Sequence, residues 1–114
     1  MKQRYYVYVV ELSKSVFNEN AKFRNANPQF NGVLECLYVG MTSKSPEVRL
    51  KQHLSGAVRK KGHNISSSIV RKYGMYLRPS LYQHLKPTSR SEALKMEDEL
   101  GKKLRRERYA VWWG

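Results

Sequence analysis

Residues 5–12, Tyr-Tyr-Val-Tyr-Val-Val-Glu-Leu, are almost all aromatic or β-branched and show no polar alternation. A segment apolar on both sides suits the middle of a sheet, so a central strand is expected there, with Tyr6, Tyr8 and Val10 on one face. Residues 13–33 are rich in Asn, carry Pro28 and Gly32 and show little periodicity, which predicts a long connection between two strands. Alternation resumes at residues 34–40, a second strand whose even positions place Cys36, Tyr38 and Gly40 together, with Tyr38 near the strand end.

The pattern then turns helical. Ser45, Pro46 and Glu47 supply a cap, a first-turn proline and an early acidic residue, opening a helix expected to run to about Ser55 with Leu50, Leu54, Ala57 and Val58 as its core stripe. A short helix over residues 65–73 is stopped by Gly74 in the usual C-terminal position. Residues 75–85 read as a third strand, which Pro79 confines to an edge or a bulge. Ser89 and Glu92 then form a capping-box signature for a helix through Ala93, Leu94, Met96, Glu97, Leu100 and Leu104. The expected architecture is α+β, a small central mixed or antiparallel three-stranded sheet flanked by helices, with the tail at 108–113 as a candidate further strand.

Composition adds the partner. The 114 residues fit one domain, and 22 Lys and Arg against 9 Asp and Glu leave +13, a field that attracts polyanions. Charge alone fits a ribosomal-type RNA-binding protein as well as it fits a DNA-acting one. Cys36 is the only cysteine, so neither an internal disulfide nor a thiolate-rich zinc site is expected, and a reducing cytoplasm suits the chain. The N-terminal apolar run is too short for a signal segment or a membrane span.

Candidate chemistry lies on the two longer helices. Arg49 and His53 stand four apart, one turn from each other on one side, and can address one ligand. On a helical wheel Glu97 falls among Ala93, Leu100 and Leu104, whereas Asp98 and Glu99 point away. An ionised carboxylate on an apolar side needs compensation, and two readings stay open: a metal ion, or a structural ion pair with Arg49 or another base. Lys44, the basic run Arg59, Lys60, Lys61 with His63, and Arg71 are candidate nucleic-acid contacts.

These residues resemble the GIY-YIG nucleases. Tyr6-Val7-Tyr8 looks like a variant of that family's first tripeptide, and Tyr38-Val39-Gly40 is similar to the second. Arg49 follows Tyr38 after eleven residues and His53 after four more, inside Val-Arg-Leu-Lys-Gln-His-Leu-Ser-Gly, and Glu97 matches the family's metal-binding glutamate. The chain departs from the pattern at Tyr6, which replaces a glycine, at Ala110, where many members have asparagine, and at Met41, where the excision-repair branch has lysine.

The resemblance implies a divalent-metal-dependent endonuclease that hydrolyses DNA phosphodiesters without a covalent intermediate. It assigns Tyr8, Tyr38, Arg49, His53 and Glu97 to the catalytic set, with Mg2+ or Mn2+ held by Glu97. Tyr38 would take the proton of the attacking water once His53, or failing that Lys44, relieves it of its own; Tyr8 would orient it, and Arg49 would hold the phosphate. The alternatives are core packing for the tyrosines and a solvated helix surface for Arg49 and His53. A non-catalytic basic module on the same fold is the competing function, but a carboxylate beside the phosphate would only repel a ligand that is merely bound. With no separate recognition domain expected, single-stranded or structured DNA is the favoured substrate, and Trp112 and Trp113 are candidates for stacking bases if they are not core residues.

Overall fold

The apolar start of the chain forms β1 (Tyr6–Leu12) in the interior of a sheet, in a computed structural model that describes residues 4–54 and 65–113. β1 pairs antiparallel with β2 (Cys36–Thr42) on one side and with β3 (Gly74–Leu77) on the other, while β4 (Ala110–Trp113) lies parallel to β2, giving the order β3-β1-β2-β4. The fold is α+β as expected, but the sheet is mixed and four-stranded. β4 is only four residues long, too few for its period to stand out in the sequence.

Register decides which side chains meet. Tyr8 pairs with Gly40, Val10 with Tyr38 and Tyr6 with Thr42, so these six residues share one face of the sheet. Val9, Leu37, Val39 and Val111 fill the opposite face and are buried.

The long connection expected at 13–33 contains two short helices, α1 (Ser15–Glu19) and α2 (Ala21–Ala26). Val16 and Phe23 anchor them in the core. Asn20 joins the two, donating its backbone N–H to Val16 O at 2.9 Å and accepting from Phe23 N–H at 2.9 Å with its side chain. Helices of five and six residues carry too few apolar positions to display a 3.6-residue period, and the Asn content that suggested a loop includes the cap between them.

α3 (Pro46–Leu54) starts as predicted, with the Val48 N–H donated to Ser45 Oγ at 3.2 Å. Its inward row differs from the expected stripe: Leu50 is buried, but the next inward position is His53, while Leu54 is 45% exposed. Ala57 and Val58 lie outside the described residues. α4 (Ile65–Tyr73) runs straight into β3, and Gly74 is needed there because a Cβ would collide with the Val70 carbonyl, not because a left-handed cap is formed.

The strand expected over 75–85 ends at Leu77, and Pro79 opens a 3-10 turn over Pro79–Leu81 instead. α5 (Arg90–Arg106) begins at the predicted cap, with the Glu92 N–H donated to Ser89 Oγ at 3.3 Å, and is the last helix of the crossover that a parallel β2–β4 pair requires. The Trp113 ring lies against Gly101 so closely that any Cβ there would overlap it. Among the described residues no helix is long and apolar enough to cross a membrane.

Candidate active site

Gly40 has no side chain at the point where two tyrosines converge. A Cβ on it would stand 2.7 Å from Tyr38 Cε2 and 2.8 Å from Tyr8 Oη, so the glycine lets the Tyr8 phenol cross β2 and lie beside Tyr38. The two ring centroids are 6.3 Å apart at 56°. His53 approaches from α3, its Nε2 3.5 Å from Tyr8 Oη and its ring edge-on to Tyr38 at 6.4 Å between centroids. The inward turn of α3 at residue 53 therefore gives to an imidazole, only 6% exposed, the slot that a leucine stripe would have filled.

Burial pushes the Tyr8 hydroxyl far above the ordinary tyrosine range; Tyr38 and Glu97 add to the rise, and the charge and hydrogen bond of Arg49 oppose it. Burial thus favours the protonated phenol at Tyr8. Arg49 from α3 and Glu97 from α5 both act electrostatically on the one hydroxyl. Arg49 is half-buried, with its Nη1 3.4 Å from Gln52 Oε1.

Glu97 is 6% exposed, and its carboxyl pKa is pushed up to about 7, first by burial and then by the neighbouring charge of Asp98. It makes no hydrogen bond or ion pair among the described residues, which removes support from the structural-pair reading with Arg49. Asp98 faces elsewhere, accepting from Trp113 Nε1 at 3.1 Å and from Lys102 Nζ at 2.8 Å. No group of three or more His, Cys, Asp or Glu suited to a metal occurs among the described residues, so a cation at Glu97 would complete its shell with water and phosphate oxygens. Of the expected nucleic-acid contacts, Lys44 and Arg71 are exposed; Arg59, Lys60, Lys61 and His63 lie outside the described residues.

With this cluster in view, a family model described as the GIY-YIG catalytic domain matches residues 4–110. The chain belongs to the GIY-YIG family. That domain makes it a DNA endonuclease and accounts for the α+β architecture around its mixed sheet. Neither a curated protein nor a solved structure matches the chain significantly.

One supporting residue of this GIY-YIG domain escaped the sequence reading. Asn27 is fully buried at the end of α2. Its Oδ1 accepts from the Val111 N–H at 2.7 Å, Arg105 Nε at 3.1 Å and Gln29 Nε2 at 3.2 Å, and its Nδ2 donates to Phe23 O at 2.8 Å. The polar anchor of the last strand is therefore an asparagine from the β1–β2 connection, while Ala110 is buried in the strand itself. An Asn next to a proline in an Asn-rich stretch carries no mark of burial. Trp113 takes the packing role, with the Arg105 guanidinium 4.3 Å over its ring, so it offers no free face for bases.

Proposed function

We propose that this GIY-YIG protein is a divalent-metal-dependent endonuclease of the cytoplasm, with Tyr8, Tyr38, Arg49, His53 and Glu97 as its working residues and single-stranded or structured DNA as its preferred substrate. The observation that carries the proposal is Glu97: a buried carboxylate without a cationic partner among the described residues, within electrostatic reach of Tyr8, in a chain of net charge +13. Such a group is costly unless something positive arrives. A hard cation suits it, and Mg2+ or Mn2+ bound there would supply Lewis acidity to the scissile phosphate and to the attacking water.

The chain's own residues account for the rest. Arg49 presents a planar fork to phosphate oxygens whose charge grows in the transition state, a task to which lysine is poorly suited. Tyr38 receives the proton of the attacking water and passes its own to His53, whose ring faces it edge-on. Tyr8, held protonated by burial, fixes the imidazole and the Arg49 side chain in place. Lys44 and Arg71 are exposed cations available to the phosphates of a bound strand. A buried Cys36, its thiol pushed up to about 11 by burial, is inert and suits a reducing interior.

Incubating the protein with labelled single-stranded, duplex and branched DNA tests this reading. Cleavage should stop in excess EDTA and return with magnesium or manganese; undiminished cutting in excess chelator overturns the metal role.

A further inference from the structure

Tyr6 is two residues before Tyr8 on β1 and points to the same face of the sheet, opposite Thr42. Two residues along a strand span about 7 Å, roughly the scale of one nucleotide of an extended strand. Unlike Tyr8, which is buried, Tyr6 is 38% exposed, and its side chain makes no hydrogen bond, ion pair or ring contact among the described residues. A partly exposed phenol ring without a ring or hydrogen-bond partner among the described residues, next to the proposed reaction centre for a polyanion of stacked bases, is in the position a stacking platform requires. The adjoining end of β2 adds charge: Thr42 Oγ1 accepts the Lys44 N–H at 3.0 Å, which holds the start of the following turn, and Lys44 itself is exposed.

We infer that Tyr6 stacks on an unpaired nucleobase beside the scissile phosphate, and that this contact gives the endonuclease its preference for DNA with unstacked bases at the cut. The inference rests on the proposed position of the scissile phosphate over Tyr8, Tyr38 and Arg49. A base paired within a duplex keeps its own neighbours on both faces and cannot offer one to Tyr6; an unpaired base can. The residue thereby acts on substrate choice and not on the chemical step.

The test compares the intact protein with Tyr6→Ala, Tyr6→Leu and Tyr6→Phe. Wild-type cleavage first maps the cut in an oligonucleotide with a short unpaired segment, and 2-aminopurine is then placed in turn at the bases flanking it. Binding in EDTA should quench the fluorescence of one flanking base with wild type and Tyr6→Phe, and fail to do so with Tyr6→Ala and Tyr6→Leu. Loss of stacking should lower the kcat/KM ratio of unpaired over paired substrate by about fivefold to a hundredfold, chiefly through KM, as the ~1–3 kcal/mol typical of base–aromatic stacking implies. Tyr6→Leu keeps apolar bulk, so a shared defect of the Leu and Ala variants that Tyr6→Phe lacks belongs to the aromatic face and not to folding. Equal quenching and an equal substrate ratio in all four proteins overturn the inference. The EDTA binding arm needs no catalysis, so a failure of the nuclease reading would appear separately, as wild type that binds but never cuts; the 2-aminopurine scan then covers every base of the unpaired segment.

Discussion

At the Arg78 corner of the sheet, one guanidinium nitrogen reaches Glu11 and Glu35 at 2.9 Å each, and all three side chains are only partly exposed. At Glu97 a more deeply buried carboxylate has no hydrogen bond or ion pair among the described residues. The two places obey the same electrostatics and differ in what completes them. A polar group that serves the fold finds its partner within the fold, whereas a group that serves a ligand is left wanting one. Under the proposed function Glu97 belongs to the second kind, and burial, which raises its pKa, leaves it in want of a cation.

The widest separation between the two regions should appear in activity. Arg49→Ala and Tyr38→Phe should each lower the cleavage rate by about a hundredfold or more while the circular dichroism spectrum and melting temperature stay near wild type. Rates within a few-fold of wild type in either variant would mean that the reaction centre lies elsewhere. Arg78→Ala should show the reverse. It strands two partly buried carboxylates and should cost about 2 to 3 kcal/mol of stability, discounted from the 3 to 5 of a fully buried pair, while folded enzyme at low temperature still cuts DNA. Chemical denaturation followed by cleavage assays below the transition separates the two quantities; an unchanged midpoint would make the triad ornamental.

A subtler contrast lies in pH. Because the Glu97 carboxyl titrates near 7 in the fold against an ordinary value of 4.5, its ionised form penalises the metal-free protein. The penalty is complete above about pH 7, shrinks as pH falls from there to 4.5, and is gone below; its ceiling is about 3 kcal/mol. Glu97→Gln should therefore melt at a higher temperature than wild type at about pH 8 in EDTA and at the same temperature near pH 4, with cleavage lost throughout. A lower melting temperature for the variant at about pH 8 would reveal a cationic partner for Glu97 and remove the case for a metal there.

Much of this arrangement could be read from the chain because its signals are local. The strand around Tyr8, the caps at Ser45 and Ser89, and the helical phase of Arg49, His53 and Glu97 each depend on neighbours within a turn or two. What escaped the reading is set by distant partners. His53 displaced Leu54 from the inward row because Tyr8 and Tyr38 stand opposite it, a fact of β-sheet register that α3 does not encode by itself. The tail was legible as a candidate strand, but its parallel place beside a strand some seventy residues earlier was not, nor was the bond of Asn27 to a backbone amide 84 residues later. The resemblance supplied the order of the motifs, but the reason for Gly40, a gap just wide enough for two phenols, is visible only when β1 lies beside β2.

The Asn27 anchor also bears on when the enzyme becomes competent during synthesis. Its bonds to Arg105 and Val111 close loops of 78 and 84 residues, among the most costly contacts in chain entropy that this fold contains. α1, α2 and the β1–β2 pair are all drawn from the first forty-two residues, whereas α5 and β4, which supply Arg105 and Val111, come last in the chain. The buried Asn27 side chain therefore gains its Arg105 and Val111 partners only when the C-terminal end of the chain has been made, so the seam between the first and last elements is the last to be sealed.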